Sequence, residues 1–322
     1  MHVLVIGAAG MIGRKLVARI AADGAVGGRK VSKLTLVDVF APSAPSGIPT
    51  EAWAADLALP GEAAKMVAGK PDLIFHLAAI VSGEAEADFE KGYRINLDGT
   101  RLLFEAIRHA GYMPRVVFTS SIAVFGAPFP ERIGDEFHLT PLTSYGTQKA
   151  IGELLLADYS RRGFFDGIGI RLPTICIRPG LPNKAASGFF SGILREPLAG
   201  QEAILPVPDS VMHWHASPRA AVGFLLHAAG LDTAPLGARR NLTMPGLAAT
   251  VAEQIEALRR VAGDKAVALI RRVPDETVMK IVEGWPRTFD AKRAEALGFR
   301  AEKTFDEIIR VHVEDELGGK VA

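Results

Sequence analysis

Short apolar runs alternate with longer amphipathic segments along the first half of the chain. The apolar runs occupy residues 3–6, 34–37, 73–77, 116–119 and 168–177. Their length and their content of β-branched residues are typical of buried strands. Between the runs, segments 14–20 and 102–107 carry apolar residues at the spacing of one helix face. Strands that alternate with crossover helices predict a parallel sheet, so we expect an α/β fold.

The second half of the chain is less regular. After Pro179 it becomes rich in Gly, Pro, Asn and Phe, and helical spacing returns at 220–229, 251–261 and 305–317. We expect a smaller lobe that is interleaved with the last strands of the sheet. The expected division is residues 1–178 with 209–244 for the larger domain, and residues 179–208 with 245–322 for the smaller lobe.

Composition and charge narrow the class of protein. The chain has 322 residues, of which 48% are hydrophobic and 23% are charged, as in a folded globular protein. The chain has 37 Lys and Arg and 36 Asp and Glu, so its net charge is close to zero. Such a balance creates no strong electrostatic field that would attract nucleic acid or an anionic membrane. Cys176 is the single cysteine, and neither zinc spacing nor a leader or bilayer-spanning run is apparent. We expect a cytoplasmic protein without a metal and without a nucleic-acid or membrane partner.

A glycine-rich turn follows the first apolar run. The segment Gly7-Ala8-Ala9-Gly10-Met11-Ile12-Gly13 stands between a strand pattern and a helix pattern. Gly7 would let the turn close, Gly10 would let the backbone approach a pyrophosphate, and Gly13 would let helix and strand pack closely. The helix start, at Met11 and Ile12, would offer N–H groups and positive potential to the phosphates. Glycines that only form a tight turn are the alternative.

Further positions that would border a nucleotide follow the next strands. Asp38 ends the second apolar run, where a carboxylate can accept hydrogen bonds from a ribose 2′-hydroxyl and repel a 2′-phosphate. This placement favours NAD over NADP, although a solvent-exposed strand end is the alternative. Small residues after a buried strand, at 77–79, would let the backbone approach a ligand. The cofactor contacts expected here are Asp38, Asp56, Leu57, Leu77, Ala78 and Ala79.

A second group of residues carries candidate chemistry. Ser121 follows the fourth apolar run, and Tyr145 and Lys149 come later, four residues apart on a predicted helix. Positions i and i+4 share a face, so the ammonium would lie near the phenol. A phenol with a pKa near 10 is a poor base at neutral pH, but an adjacent cation favours the phenolate. Ser121 would hydrogen-bond the same substrate oxygen, which suits oxidation of an alcohol by hydride transfer to NAD. A Tyr and a Lys one turn apart can also be only a packed and solvated pair.

In this order the motifs resemble those of the extended short-chain dehydrogenase/reductase family. The matching segments are Gly7–Gly13, Asp38, 56–57, 76–79, 96–100, 120–126, Tyr145-x-x-x-Lys149 and 289–299, which span most of the chain. The resemblance implies a Rossmann-type doubly wound parallel sheet that binds NAD, a smaller C-terminal substrate lobe, and a homodimer. It implies Ser121, Tyr145 and Lys149 as the catalytic set. It also implies that Asn96 and the backbone near Pro173 line the cofactor.

Departures from the family pattern bear on the reaction. Sugar-nucleotide dehydratases of the family place an Asp-Glu pair directly after the catalytic hydroxyl residue, where this chain has Ile122-Ala123. Dehydration is therefore disfavoured. Residues 172–190 are similar to a subgroup that oxidises small sugar acids. That similarity implies oxidation of the 2-hydroxyl of a four-carbon sugar acid to a 2-keto acid, with Tyr145 removing the hydroxyl proton.

The substrate contacts are expected beyond the carboxyl ends of the strands. The carboxylate of a sugar acid needs a cation, and Arg178 and Lys184 follow the strand pattern at the edge where ligands of such folds bind. Ser82 and Thr174 would add hydroxyl donors. Solvated loop charges are the alternative for both cations. Three other functions stay open: a nucleotide-sugar 4-epimerase, a threonine-type dehydrogenase, and a non-catalytic NAD-binding protein, against which the intact catalytic set argues.

Overall fold

A computed structural model describes residues 1–180 and 186–322. The strands in these residues are, in chain order, β1 (His2–Ile6), β2 (Ala25–Val26), β3 (Arg29–Lys30), β4 (Lys33–Asp38), β5 (Thr50–Ala54), β6 (Leu73–His76), β7 (Arg115–Ser121), β8 (Ile133–Gly134), β9 (Asp166–Leu172), β10 (Thr174–Ile175), β11 (Ala203–Leu205), β12 (Met212–Ala216), β13 (Asn241–Thr243), β14 (Leu247–Thr250), β15 (Ile270–Arg272) and β16 (Phe289–Asp290).

The α-helices of the same residues are α1 (Met11–Asp23), α2 (Glu62–Val67), α3 (Ser82–Ala87), α4 (Phe89–Gly92), α5 (Gly99–Ala110), α6 (Ser144–Arg161), α7 (Gly188–Leu198), α8 (Pro218–Gly230), α9 (Val251–Val267), α10 (Glu276–Glu283), α11 (Lys292–Ala296) and α12 (Phe305–Glu316). A π-helix at Tyr93–Asp98 leads directly into α5, and short 3₁₀-helices occupy Ile122–Val124 and Ala234–Leu236.

A seven-stranded sheet forms the centre of the fold, in the order β13-β9-β7-β6-β1-β4-β5. β1 pairs in parallel with both β4 and β6, with Val5 opposite Leu36 on one side and opposite Phe75 on the other. The strand order reverses between β1 and β6, and ligands of doubly wound sheets bind at such a point, outside the carboxyl ends of the strands. The expected α/β fold with a Rossmann-type parallel sheet is confirmed.

The first strand and helix follow the hydrophobic pattern directly. Residues 3–5 of β1 are fully buried, as expected for a strand that is covered on both faces. In α1 the apolar face includes Leu16 and Ile20, which are also fully buried. The helix ends at Gly24, which has a φ of 65° and donates its N–H to the Ile20 carbonyl. Glycine adopts this left-handed cap without the steric cost that a side chain would add.

Contacts divide the chain into two compact units. Unit 1 consists of Met1–Val124, Thr143–Arg171 and Val222–Leu242, and unit 2 consists of Phe125–Leu142, Leu172–Ala221 and Thr243–Ala322. Unit 1 has a core in which the rings of Phe104, Phe118 and Phe165 are buried. Unit 2 has a core of its own, where Phe190 of α7 and Leu258 of α9 are buried together. Each unit therefore has its own hydrophobic interior.

Residues 125–142 belong to unit 2, whereas the sequence placed them in the larger domain. In unit 2, β8 pairs in parallel with β16, with Ile133 opposite Phe289. Residues 172–178 and 209–221 also lie in unit 2, where β10, β12 and β14 form a separate three-stranded sheet. These pairings join segments that are far apart along the chain, so no local pattern indicates them.

Candidate active site

The glycine-rich turn between β1 and α1 has the geometry of a phosphate cradle. Gly7 has a φ of +91°, and a Cβ there would lie 2.7 Å from the Ala78 nitrogen. A Cβ on Gly13 would lie 2.1 Å from the Gly7 carbonyl oxygen. Neither position accepts a side chain. The cap residue Gly10 offers no side-chain bond to α1, which begins at Met11 without an acidic residue in its first turn. The N–H groups of this helix end are thus arranged to receive an anion, and the residues present fit the pyrophosphate of NAD.

Asp38 is tied to the same turn at the end of β4. Its Oδ2 accepts the Ala9 N–H at 2.9 Å, and its Oδ1 accepts the Val39 N–H at 2.7 Å. The two backbone bonds fix the plane of the carboxylate beside the glycine-rich turn. They leave further lone pairs on both oxygens, since a carboxylate has about four acceptor sites. The position is consistent with the expected contact to ribose hydroxyls.

Asp56 and Leu57 follow β5 and have structural partners. The Asp56 carboxylate accepts the Ala58 N–H at 2.9 Å and a hydrogen bond from Arg94 at 2.7 Å. Burial raises the pKa of Asp56, but the bonds from Arg94 and Ala58 outweigh it, and the pKa lies below its ordinary value. The Leu57 side chain is buried in the unit 1 core. An adenine contact from Leu57 would therefore have to involve its backbone.

The segment after β6 lies against the glycine-rich turn and is anchored by Asn96. Leu77 donates its N–H to the Ile6 carbonyl at 2.9 Å, which continues the register of the sheet. The Asn96 side chain lies in the π-helix and is 2% exposed. It accepts the Ile80 N–H at 2.9 Å and donates to the Ile80 carbonyl at 3.2 Å and to Gln148 at 2.8 Å. Asn96 thereby holds the backbone at 77–81 in place. Its expected contact with the cofactor stays a prediction.

The three candidate catalytic residues come from β7 and α6. Ser121 is the last residue of β7, and Tyr145 and Lys149 lie in the first two turns of α6. The helix begins there because the Thr143 hydroxyl accepts the Gly146 N–H at 3.0 Å, as an N-cap residue does. The Lys149 Nζ lies 5.8 Å from the centre of the Tyr145 ring and donates to the Thr119 carbonyl at 2.8 Å. That last bond ties α6 to the end of β7.

Lys149 is buried although it carries a charge. Its exposure is 3%, and the Nζ lies 4.9 Å from the centre of the Phe118 ring, a cation–π distance. Burial lowers the pKa of Lys149 to about 8, and the carboxylate of Glu153 opposes this effect. The ammonium is therefore the main form at neutral pH. A cation beside the half-buried Tyr145 ring favours the phenolate that base catalysis needs.

The two neighbouring serines at the end of β7 have different surroundings. Ser120 is buried and donates its hydroxyl proton to Glu153 at 2.6 Å. Ser121 is half-buried, and its Oγ accepts the Ala123 N–H at 3.1 Å. That bond uses a lone pair of Ser121 and leaves its proton to be donated. Ser121 thus has the hydrogen-bonding capacity of a donor to a substrate oxygen.

Ser82 and Thr174, expected as hydroxyl donors, lie in different units. Ser82 is the first residue of α3, directly after the segment that Asn96 anchors. Thr174 lies in β10 of unit 2, with its Oγ1 2.7 Å from His213 Nε2. His213 Nδ1 lies 2.8 Å from the Pro286 carbonyl, which can only accept, so Nδ1 carries the proton and Nε2 accepts from Thr174. Burial lowers the pKa of His213 to about 4, which keeps the ring neutral. Thr174 therefore directs its proton to His213 and presents acceptor lone pairs.

Arg178 and Pro173, expected near the substrate and the cofactor, lie in the described part of the chain, whereas Lys184 does not. Arg178 is half-buried in unit 2, where its Nε donates to the Ile175 carbonyl and its Nη2 donates to Ser187, each at 3.0 Å. These two bonds fix the orientation of the Arg178 guanidinium. Pro173 is buried between β9 and β10. Lys184 lies outside the described residues.

Within residues 1–180 and 186–322, no helix is both long enough and apolar enough to cross a membrane. In the same part of the chain, no group of three or more His, Cys, Asp or Glu side chains is placed to hold a metal ion. Cys176 is fully buried, and burial raises its pKa to about 12. The thiol therefore lacks the thiolate character of a reactive cysteine.

The sequence analysis did not predict the charged partners of the candidate catalytic residues. Glu153, one helical turn after Lys149, pairs with Arg171, and Gln148 accepts a hydrogen bond from Asn96. One signal was available, because Tyr145, Lys149 and Glu153 are each four residues apart and so share one face of a helix. Arg171, the partner of Glu153 from β9, has no comparable signal in the sequence.

Comparisons with known proteins agree with this geometry. Residues 3–214 match the NAD dependent epimerase/dehydratase family. A D-erythronate dehydrogenase from Cupriavidus necator is 47% identical over 319 residues, which cover 98% of each chain. A D-erythronate dehydrogenase from Haemophilus influenzae is 40% identical over 318 residues, which cover 98% of this chain and 100% of that one.

Two solved structures are also similar to the chain. A nucleoside-diphosphate-sugar epimerase from Agrobacterium tumefaciens is 71% identical, with a TM-score of 0.98 over 100% of this chain and 96% of that one. An L-threonine dehydrogenase from Cupriavidus necator is 22% identical, with a TM-score of 0.84 over 98% of this chain and 99% of that one. The second likeness concerns the fold alone.

The chain belongs to the NAD dependent epimerase/dehydratase family, which confirms the resemblance to extended short-chain dehydrogenases/reductases. It is an NAD-dependent oxidoreductase, and NAD is its cofactor, as the turn and the carboxylate at the end of β4 indicated.

Proposed function

We propose that the chain oxidises the 2-hydroxyl of D-erythronate to a 2-keto acid with NAD. The observation that carries this proposal is the position of the buried Lys149 beside Tyr145, at the same strand end as Ser121. Similarity to two D-erythronate dehydrogenases over nearly the whole chain supports the choice of substrate. A protein that only senses NAD would have no need for a phenol and an ammonium in this arrangement.

In the proposed reaction, the Tyr145 phenolate takes the proton of the C2 hydroxyl. Ser121 donates a hydrogen bond to the same oxygen and holds it against the phenolate. Lys149 keeps its charge beside the phenol and lowers the free energy of the phenolate form, and it would also bind the nicotinamide ribose. Bound NAD would supply the acceptor for the C2 hydride, so that the loss of this hydride and of the proton taken by Tyr145 would leave a ketone.

Cofactor binding is assigned to residues that border the glycine-rich turn. The first group is the turn itself, with Gly7, Gly10, Met11, Ile12 and Gly13 at the pyrophosphate. Asp38 would accept hydrogen bonds from the adenosine ribose, and its negative charge would disfavour the 2′-phosphate of NADP. The remaining contacts are assigned to Asp56, Leu57, Leu77, Ala78, Ala79, Asn96 and Pro173.

The sugar acid would be bound through its carboxylate and its further hydroxyls. Arg178 and Lys184 are the proposed cations, and a guanidinium matches the two oxygens of a carboxylate. Ser82 would donate a hydrogen bond. Because Thr174 gives its proton to His213, we assign it the role of acceptor from a substrate hydroxyl.

A nucleotide-sugar epimerase is the second candidate. It is favoured by the name of the Agrobacterium structure, a nucleoside-diphosphate-sugar epimerase whose chain is 71% identical to this one. The two reactions leave different products, because an epimerase returns the hydride within one turnover whereas a dehydrogenase releases NADH.

The test is to mix the purified protein with NAD and a panel of D-erythronate, L-threonate, L-threonine and UDP-sugars. We expect NADH absorbance to rise with D-erythronate and not with the other compounds, and we expect Tyr145→Phe to abolish it. An epimerised UDP-sugar without net NADH would favour the second candidate. NADH from L-threonine alone would replace the substrate with an amino acid. NAD binding without turnover of any compound would support a non-catalytic protein.

We further propose that the chain acts as a cytoplasmic homodimer, as the family resemblance implies. Light scattering coupled to gel filtration would measure its mass. A monomeric mass over the concentration range of the assay would exclude the dimer.

A further inference from the structure

A buried ion pair lies next to the candidate catalytic residues, and the proposed mechanism does not use it. Glu153 of α6 is 1% exposed. Arg171 of β9 donates to it through Nε at 2.9 Å and through Nη2 at 2.7 Å, and Ser120 of β7 donates to it at 2.6 Å. A carboxylate removed from water is costly unless it is paired and hydrogen-bonded, and both of its oxygens are bonded here.

The pair connects the elements that carry the catalytic set. Ser120 precedes Ser121 in β7, and Glu153 lies one helical turn after Lys149, which lies one turn after Tyr145. The Glu153 carboxylate therefore ties the catalytic face of α6 to the catalytic end of β7. Asn241 adds a bond from its Nδ2 to the Glu153 carbonyl at 3.2 Å.

The charges around Lys149 determine how strongly it holds its proton. On α6 its neighbours are Tyr145 and Glu153. Lys149 also faces His76 of β6. Burial, and to a smaller extent the charge of Lys149, lowers the pKa of His76 to about 3, so the His76 ring is neutral. From β7 Lys149 meets the Thr119 carbonyl and the Phe118 ring. Arg171 of β9 is neutralised by Glu153. Burial disfavours the ammonium, and the carboxylate of Glu153 is the charge that opposes it.

We propose that Glu153 is a positioning residue that keeps Lys149 cationic and thereby sets the alkaline limit of catalysis. The proposal rests on the proposed function, because it assumes that the Lys149 cation assists the Tyr145 base. Ser120 and Arg171 hold the carboxylate where it can act. Glu153 itself touches neither substrate nor cofactor in this scheme.

The test is the pH profile of kcat/KM for Glu153→Gln with D-erythronate and NAD. Glutamine keeps the shape and can still accept the Ser120 bond, but it lacks the charge and leaves Arg171 unneutralised. Both changes favour neutral Lys149, so we expect the alkaline limb to move to lower pH by about one unit or more. Each unit lowers the rate on that limb about tenfold. The double variant Glu153→Gln/Arg171→Met removes the unpaired cation and keeps the test valid if the single variant is unstable.

Matched controls separate charge from structure. Glu153→Asp keeps the charge, so its alkaline limb should stay close to that of the unmodified protein even if the rate falls. Ser120→Ala removes a bond to the carboxylate but no charge, and Asp158→Asn removes an exposed charge of the same helix that pairs with Arg161. Neither should move the limb as far as Glu153→Gln does, because Arg171 still holds the Glu153 carboxylate through two bonds.

The outcomes distinguish the two proposals. If Tyr145→Phe and Lys149→Met abolish oxidation and Glu153→Gln leaves the alkaline limb in place, the inference about Glu153 is overturned and the proposed function stands. If Tyr145→Phe retains full activity, the proposed function fails first. If Ser120→Ala moves the limb as far as Glu153→Gln does, packing rather than charge is responsible, and the inference is again overturned.

Discussion

Replacement of Lys149 by methionine should stabilise the protein at neutral pH while it abolishes oxidation. Methionine has a similar length and is readily buried, but it carries no charge. The ordinary pKa of a lysine is 10.5, and burial lowers that of Lys149 to about 8. The difference corresponds to a cost of about 3 kcal/mol for holding the ammonium inside the folded protein. The lost bond to Thr119 reduces the net gain by about 1 kcal/mol.

The pH dependence of this effect has a definite sign. Below pH 8 the folded and the unfolded chains both carry the protonated lysine, so the folded state bears the full cost. As the pH rises from 8 to 10.5, the folded chain releases the proton first and the cost declines. The unmodified protein should therefore gain about 2–3 kcal/mol of unfolding free energy relative to Lys149→Met between pH 7 and pH 10.

Urea unfolding of both proteins at several values of pH would measure this difference. Lys65→Met is a matched control, since the Lys65 side chain is 68% exposed and pairs with Glu62 on α2. Its stability should follow that of the unmodified protein at every pH. Parallel curves for Lys149→Met and the unmodified protein would refute the reasoning, because they would mean that the buried lysine is not destabilised by its surroundings.

Three further predictions concern other parts of unit 1. Gly13→Ala should lower the free energy of unfolding by about 1–3 kcal/mol and weaken NAD binding, because the new Cβ would meet the Gly7 carbonyl. Gly223→Ala, where a Cβ would meet open space, should have neither effect; thermal unfolding and NAD titration would measure both. Asp38→Asn should lower kcat/KM for NAD about tenfold or more and relax discrimination against NADP; an unchanged ratio would remove Asp38 from the cofactor site. Arg115→Met should lower the free energy of unfolding, measured in urea, by about 2–4 kcal/mol, since Arg115 pairs with Asp166 at 2.7 Å and donates to carbonyls at the end of α8. A loss of unfolding free energy below about 1 kcal/mol would show that these contacts of Arg115 are redundant.

Local patterns in the sequence were sufficient for the class of fold. The first four apolar runs became β1, β4, β6 and β7, because strands covered on both faces of a parallel sheet must be apolar throughout. The fifth run divided at Pro173 into β9 of the same sheet and β10 of the three-stranded sheet. The glycine spacing predicted the turn before α1, where two positions exclude a Cβ. The spacing of Tyr145 and Lys149 predicted a shared helix face, and the structure places both on α6.

Other features could not be obtained from local patterns. Residues 125–142 belong to unit 2 because β8 pairs with β16 at the far end of the chain. The family resemblance implies that Asn96 lines the cofactor, and only the structure shows that its side chain is also bonded to both backbone groups of Ile80 and to Gln148. Such partners are distant in sequence, and their pairing depends on how the elements pack.

The sequence by itself determined the alternation of strands and helices in the first half of the chain, the glycine-rich turn before α1 and the helix face that Tyr145 and Lys149 share. Those properties depend on the intrinsic geometry of glycine and on the periods of helix and strand, which are short-range. The tertiary structure alone decided the pKa of Lys149. That pKa depends on burial and on a carboxylate that Arg171 and Ser120 hold from positions 18 and 33 residues away. Electrostatic free energies inside a protein depend on distance in space, and this distance exists only after the chain has folded.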